Sequence, residues 1–282
     1  MNTLQSQDRE LTRAGRAALE VGLVRGQSTV VSAFATNPLK LLTPRARGQS
    51  VWACTSSFGG GLVAGDETLL EVRIRAGARC FVGTQASTKV YRNETGLPCG
   101  HETLGFVERD AILVFAPDPV QAFALSIYRQ KQVFQLLPGA GLVLVDWFTS
   151  GRAARGERWA FSLFQCRNEV FIEDRRVFLD SLLLDCTRTE LKGAHRLGRW
   201  NCIATVLLAG TPLEEGAQSI QLDVASRAVG KQDALIVSAS ATEDGVLVRI
   251  AGESVEAVGR EVQRLLYFVK EILGDDPWAR RQ

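Results

Sequence analysis

Residues 59–93, GGGLVAGDETLLEVRIRAGARCFVGTQASTKVYRN, carry the reading that decides the fold. Thr68 to Arg75 (TLLEVRIR) sets apolar residues against Glu71, Arg73 and Arg75 with the period of two expected of a half-buried strand. Ala76-Gly77 then supplies a turn, and Cys80 to Thr84 is a second apolar run, so the local reading is a hairpin. Upstream, Gly59, Gly60, Gly61 and Gly65 bring the chain to Asp66 through a segment where backbone can approach backbone closely. Downstream, Thr84 to Arg92 (TQASTKVYR) is polar at nearly every position. It reads either as a solvated loop or as a groove lined with hydrogen-bonding groups.

Working outward, roughly a dozen short segments between Ala17 and Asp185 alternate with the same period or are rich in β-branched and aromatic residues. Phe115 to Pro119 is a proline-punctuated turn, Ala122 to Gln135 a long strand-like run, Pro138-Gly139 a turn and Gly141 to Thr149 a strand, which suggests two more hairpins. Glu157 to Cys166, Glu169 to Glu173 and Arg176 to Asp185 continue the pattern, with Asp174-Arg175-Arg176 as a connecting turn.

Beyond residue 186 the texture changes. Thr211-Pro212-Leu213-Glu214 has the form of a capping box in front of a helix with apolar Ala217, Ile220, Val224 and Ala228. Ala234 to Ser240 and Gly245 to Ala251 read as strands, and Ser254 can cap a second helix whose apolar positions run from Val255 to Ile272 at helical spacing. That stripe is expected to pack on the adjoining sheet, the other reading being a partner surface. The tail ending in Trp278-Ala279-Arg280-Arg281-Gln282 is read as mobile or docked on a partner. No internal repeat or flexible linker is evident, so a single domain over 1–282 is expected, β-rich from 11 to 186 and mixed α/β from 187 to 282. The fold class is mainly β.

Composition excludes several functions. Hydrophobic residues at 46% and charged residues at 23% are ordinary globular usage. A formal charge of +2 gives no basic field for nucleic acid. The N-terminus has no apolar signal core and no run of about 18 apolar residues occurs, so the expectation is a cytoplasmic protein without a membrane partner. The six cysteines form no CxxC pair and read as free core thiols. With only His101 and His195, a serine or cysteine hydrolase lacks an evident base, and the glycine run fits no dinucleotide, P-loop or nucleophile-elbow spacing.

The residues that remain are mostly carboxylates. Asp66 sits at a bend before a strand, where an Asx-turn is the simpler reading. Asp146, in LVLVDWF, is the sharper anomaly, because an ionised group among Val, Leu, Trp and Phe must be paired, exposed or functional. Glu157 and Asp180 share this character, and together the three suggest an acidic interior lining. Cys99 and His101 are the one soft-ligand pair, placed on a turn before a strand and weak as a metal site without nearby carboxylates.

GGGLVAGDE followed by TQASTKVYR resembles the N-terminal signature of the urease accessory protein D family (UreD, also UreH). APDPVQAFALSIYRQKQVF, LVDWFTSGRAARGERWAF, VFLDSLLLD and LVRIAGES resemble its later motifs, in order. The resemblance implies a non-enzymatic chaperone whose strands are wound in two stacked layers like a short β-helix, with a few helices mostly in the C-terminal third. It implies binding to accessory protein F, through F to accessory protein G, and to apo-urease. Nickel would be in transit through a tunnel, with no tightly bound cofactor. Carried over by position, Asp66, Asp146, Glu157 and Asp180 are candidates for metal transit, and Thr88, Lys89 and Tyr91 for partner or channel contacts. Two other readings stand beside it: a scaffold that aligns urease and its partners without touching metal, and a carboxylate glycosidase on a β-helix-like frame.

Overall fold

The computed structural model describes residues 15–45 and 48–279; the start of the N-terminal segment and the end of the tail discussed above lie outside them. The chain begins with β1 (Arg16–Val24), β2 (Gln27–Ala35), β3 (Leu39–Leu42), β4 (Val51–Ser57) and the short β5 (Gly61–Leu62). Then come β6 (Glu67–Ile74), β7 (Arg79–Thr84), β8 (Thr88–Val90), β9 (Cys99–Val107), β10 (Ile112–Phe115), β11 (Val120–Ala122), β12 (Ile127–Leu136) and β13 (Gly141–Thr149). The remainder comprises β14 (Leu163–Ile172), β15 (Arg175–Asp185), β16 (Cys202–Ala209), α1 (Glu214–Ala225), β17 (Leu235–Thr242), β18 (Gly245–Gly252), α2 (Val255–Leu265) and α3 (Val269–Leu273).

These strands form two stacked sheets. One, of seven strands in the order β15-β14-β12-β9-β6-β1-β2, is here called the open sheet; the other, of eleven, is backed by the helices. In the open sheet β1, β6, β9, β12 and β14 run parallel. In the backed sheet β4, β7, β10 and β13 do the same. The chain therefore alternates between sheets as it climbs, making stacked coils like a short β-solenoid of about four turns. The hairpin expected at 68–84 is not formed: β6 and β7 lie in different sheets, as do β12 and β13. Of the expected hairpins in this region only β14–β15 is real, with Arg175 and Arg176 already in the strand.

The corners explain the difference. Arg75–Ala78, Glu108–Ala111 and Leu137–Ala140 are successive four-residue turns, each closed by a hydrogen bond from the last N–H to the first carbonyl at 3.0 to 3.1 Å. Positive φ falls only at the third position, at Gly77, Asp110 and Gly139, which is type II geometry rather than the primed turns that suit hairpins. Each corner is bonded to the next, Ile112 N–H to Ala78 and Gly141 N–H to Ala111, both at 2.9 Å. A structural repeat thus exists where no sequence repeat shows, because it is carried by one turn conformation and a buried alanine rather than by a motif.

Alternation fills the core. Inward residues such as Leu19, Val72, Phe134, Leu113 and Leu142 form the main cluster between the sheets. Outward residues of the backed sheet, among them Phe81, Val114, Val145 and Val206, pack against the helices. The apolar stripe from Val258 to Val269 is buried there, as the adjoining-sheet reading expects, and Ser254 caps α2 by accepting from the Ala257 N–H at 3.1 Å. Trp278 also docks on this face, 6.1 Å from Phe81 edge to face. The capping box at Thr211 does not form: Thr211–Leu213 is a 3-10 turn without a side-chain cap, and α1 starts after it. The run 122–135 is broken after Ala122, with strand resuming at Ile127, and of 157–166 only the part from Leu163 is strand. No helix among the described residues is long and apolar enough to cross a membrane.

Leu265, 5% exposed beneath α2, tests whether this face is interior. Leu265→Ala is expected to cost about 2–5 kcal/mol in urea denaturation; a loss under about 0.5 kcal/mol, the level of ordinary surface substitutions, would mark the stripe as solvent-facing.

Candidate functional site: a polar layer between the sheets

Alternation along β13 sends Leu142, Leu144 and Phe148 into the space between the sheets and Val143, Val145 and Trp147 towards the helices. Asp146 belongs to the inward file. Opposite it, the parallel register of the open sheet places Thr68, His101, Gln130 and Cys166 in one row. Thr103, Gln132, Asn168 and Asp180 form the next. On the backed sheet Thr55 stands beside Thr84, and Asp146 beside Thr205, itself beside Arg249. A polar layer thus crosses the stack from coil to coil and divides one buried apolar cluster from a second built around Tyr128, Phe148, Trp159 and Phe164.

A carboxylate in this position must be paired by hydrogen bonds. Gln130 Nε2 donates to Asp146 Oδ1 at 2.8 Å. Asn168 Nδ2 and Cys166 Sγ donate to Oδ2 at 2.7 and 2.8 Å. A further ring of bonds orients these donors. The Tyr128 hydroxyl donates to Gln130 Oε1 at 3.0 Å, and Gln132 Nε2 to Asn168 Oδ1 at 2.9 Å. The His101 ring is held between the Thr68 and Thr103 hydroxyls at 2.8 and 3.2 Å. Burial pushes the His101 imidazole down to about 4 against the opposing pull of Glu102, so it is neutral. Burial, with Asp146 beside it, pushes the Cys166 thiol up, and it stays protonated.

A cavity of about 270 Å³ opens against this layer, lined by His101 and Gln130 from the open sheet, by Thr84, Thr88 and Asp146 from the backed sheet, and by Asp118. Thr84 Oγ1 accepts from the Asp118 N–H at 2.7 Å and donates to its carboxylate at 3.1 Å.

The signature glycines hold the side of this cavity. β5 and β8 pair in parallel, Gly61 opposite Lys89, and β11 joins them with Val120 opposite Thr88. Gly59 and Gly60 have φ of +79° and +74°, and a Cβ on Gly61 would lie 2.5 Å from the Lys89 carbonyl oxygen. The Tyr91 hydroxyl closes the arrangement by donating to the Gly59 carbonyl at 3.0 Å.

The remaining candidates are dispersed. Asp66 Oδ2 accepts from the Val63 N–H at 2.9 Å and its own N–H donates to the Val63 carbonyl at 3.1 Å, so the carboxylate closes the turn before β6 by reaching back three residues rather than forward as in an Asx-turn. Glu157 is paired with Arg152, whose hydrogen bonds hold its carboxyl below the usual range, and it is absent from the cavity wall. Asp180 bonds Arg249 at 3.0 Å at the edge of the layer. Thr88 is in the cavity wall, Lys89 is exposed and Tyr91 stacks edge to face on Phe123. Cys99 and His101 lie within β9, not on a turn, facing the same side. No group of three or more His, Cys, Asp or Glu side chains among the described residues could hold a metal ion.

Residues 13–282 match the family model described as UreD urease accessory protein. The chain belongs to that family. It is 41% identical over 275 residues to the urease accessory protein UreD of Sorangium cellulosum, covering 97% of this chain and 86% of that one. Identity to the UreD of an Anaeromyxobacter species is 38%, with 95% and 90% covered. To the urease accessory protein D of Arabidopsis thaliana it is 36%, with 91% and 97% covered.

In this UreD-family chain the residues sequence reasoning missed are the neutral ones: Thr68, Thr103, Gln130, Gln132, Cys166 and Asn168, together with Asp118. A usable signal was the recurrence of polar residues at the same inward register in successive coils, which is invisible until the register is known.

His101 gives this layer a pH signature. Between about pH 6.5 and 4 the unfolded imidazole binds a proton that the folded one refuses. Stability therefore falls as pH is lowered through that window. His101→Gln is expected to flatten this part of the curve in urea denaturation, and an unchanged slope would mean that His101 charges freely in the fold.

Proposed function

We propose that this chain helps mature urease by passing Ni²⁺ along the polar layer while holding apo-urease and accessory protein F, with accessory protein G recruited through F. The single observation that carries this reading is Asp146: one carboxylate inside a mostly neutral polar file that runs from coil to coil beside an open cavity. A divalent cation entering a protein interior needs lone pairs to replace its water. Hydroxyls, amide oxygens and a neutral imidazole supply these without the tight hold of a cluster of charged ligands. Gln130 and Asn168 present oxygen or nitrogen by rotating the amide, so the same side chains serve Asp146 at rest and a cation in passage.

In this reading Asp180 continues the path beyond Asn168, Thr88 lines the mouth, and Lys89 and Tyr91 lie beside it as partner contacts. Asp66 and Glu157 shape the frame. Nickel is cargo, no cofactor is held tightly, and the chain has no catalytic role of its own. Its unpaired cysteines suit the reducing cytoplasm.

Co-purification with accessory proteins F and G and apo-urease, followed by nickel content and urease activity, tests the proposal. Asp146→Asn keeps the size of the side chain and is expected to leave the complex intact while lowering nickel loading roughly tenfold. Asp66→Ala should load as the unaltered chain does. Equal loading by Asp146→Asn would replace transit with a scaffold role.

A further inference from the structure

We infer that Val63, Leu97 and Leu125 form an apolar ridge on which the chain docks an amphipathic α-helix bordered by carboxylates, contributed by a partner protein. This rests on the holding of partners in the reading above and adds to it the surface and the chemistry of the hold.

The ridge lies at the opposite ends of the strands from the Gly77, Asp110 and Gly139 corners. There the Asp66 N–H closes a turn on the Val63 carbonyl and the Ser126 N–H closes one on the Phe123 carbonyl, both at 3.1 Å, just before β6 and β12. The coil between them passes through 93–98 and is tied to the first by the Gly65 N–H, which donates to the Pro98 carbonyl at 3.1 Å. Each of these successive coils turns a large apolar side chain to solvent here: Val63 is 51% exposed, Leu97 58% and Leu125 44%. Scattered apolar residues on a surface are ordinary, whereas a contiguous file marks a contact.

Leu125 supplies an independent observation. It holds φ of +63° at the third position of its turn, the position that Gly65 fills at +85° two coils earlier. A leucine is strained in that conformation, and with its side chain exposed no burial offsets the cost. Glycine would serve the isolated fold better, so the leucine answers to something that covers it.

Coils repeat at about 4.8 Å, close to the 5.4 Å pitch of an α-helix, so a helix lying along the stack interleaves its turns with the three side chains. The border is basic. Lys89, Arg92 and Arg155 are exposed, and the Arg152 guanidinium lies 4.2 Å from the centre of the Phe123 ring, against Glu94 and Glu157. A second copy of the chain would set these cations against one another, whereas carboxylates along a helix meet them.

The test reconstitutes the full chain with accessory proteins F and G and apo-urease and compares it with Leu125→Gly and Leu97→Ser. Each substitution is expected to weaken retention of the partners roughly tenfold, while the urea midpoint of Leu125→Gly does not fall. A photo-cross-linking side chain placed at Leu97 then reports what covers the ridge; the expected product carries a partner peptide with apolar residues at helical spacing and Asp or Glu beside them. Full retention by both variants, a lowered midpoint for Leu125→Gly, or a cross-link to a second copy or to a peptide without that pattern overturns the inference. If both variants retain the partners as the unaltered chain does, the holding role stands and the ridge alone falls; if the unaltered chain retains none of the three, the reading falls and the inference with it.

Discussion

In-register stacking of parallel strands is the constraint on which everything else in this molecule depends. Once β6, β9, β12 and β14 are fixed side by side, a residue's position along its strand decides which residues of the neighbouring coils it touches. Like then stacks on like: rows of Val, Phe and Leu close the main cluster, and rows of Thr, His, Gln and Asn make the polar layer. The type II corners enforce the arrangement by carrying each strand out of one sheet and into the other, so that the pairing partner is always the previous coil.

The polar layer is a compromise within that frame. A solenoid core of aliphatic rows would be the more stable solution, since each buried polar group contributes little net stability even when satisfied and costs about 1–3 kcal/mol when it is not. The chain accepts a carboxylate between its sheets and surrounds it with three donors, two of which, Gln130 and Asn168, are oriented by Tyr128 and Gln132. Neutral partners satisfy Asp146 without cancelling its charge, whereas Glu157 and Asp180 are both met by arginine. That distinction, more than the count of carboxylates, sets Asp146 apart from Glu157 and Asp180.

Much of this was legible in the amino-acid order. The period of two in TLLEVRIR and GLVLVDWFT marks strands with an inner and an outer face, and the stripe under α2 marks a buried helix. Asp146 stood out because its neighbours are apolar. The connections misled, because Ala76-Gly77 and Pro138-Gly139 announce a turn without saying which sheet the next strand will join. The neutral half of the site was hidden for a related reason: in YRQKQVFQ both faces carry polar residues, and only the register tells Gln130 and Gln132 from Arg129 and Lys131. The partners of Asp66 and Glu157 were hidden as well, because local sequence does not reveal the amide or the guanidinium that meets each carboxylate.

The stacked corners also govern how such a chain can change its length. One extra residue within β12 would turn Gln130 and Gln132 to the solvent and bring Arg129 and Lys131 inside, because side chains alternate strictly along a strand. A longer corner would break the hydrogen bonds to the corners above and below it. Insertions are absorbed instead in segments outside the ladders, such as 92–98 and 186–201, where an added residue shifts no register. The fold therefore behaves as a ruler in its strands and as slack rope between them, and growth by whole coils is the one way to lengthen the ruled part.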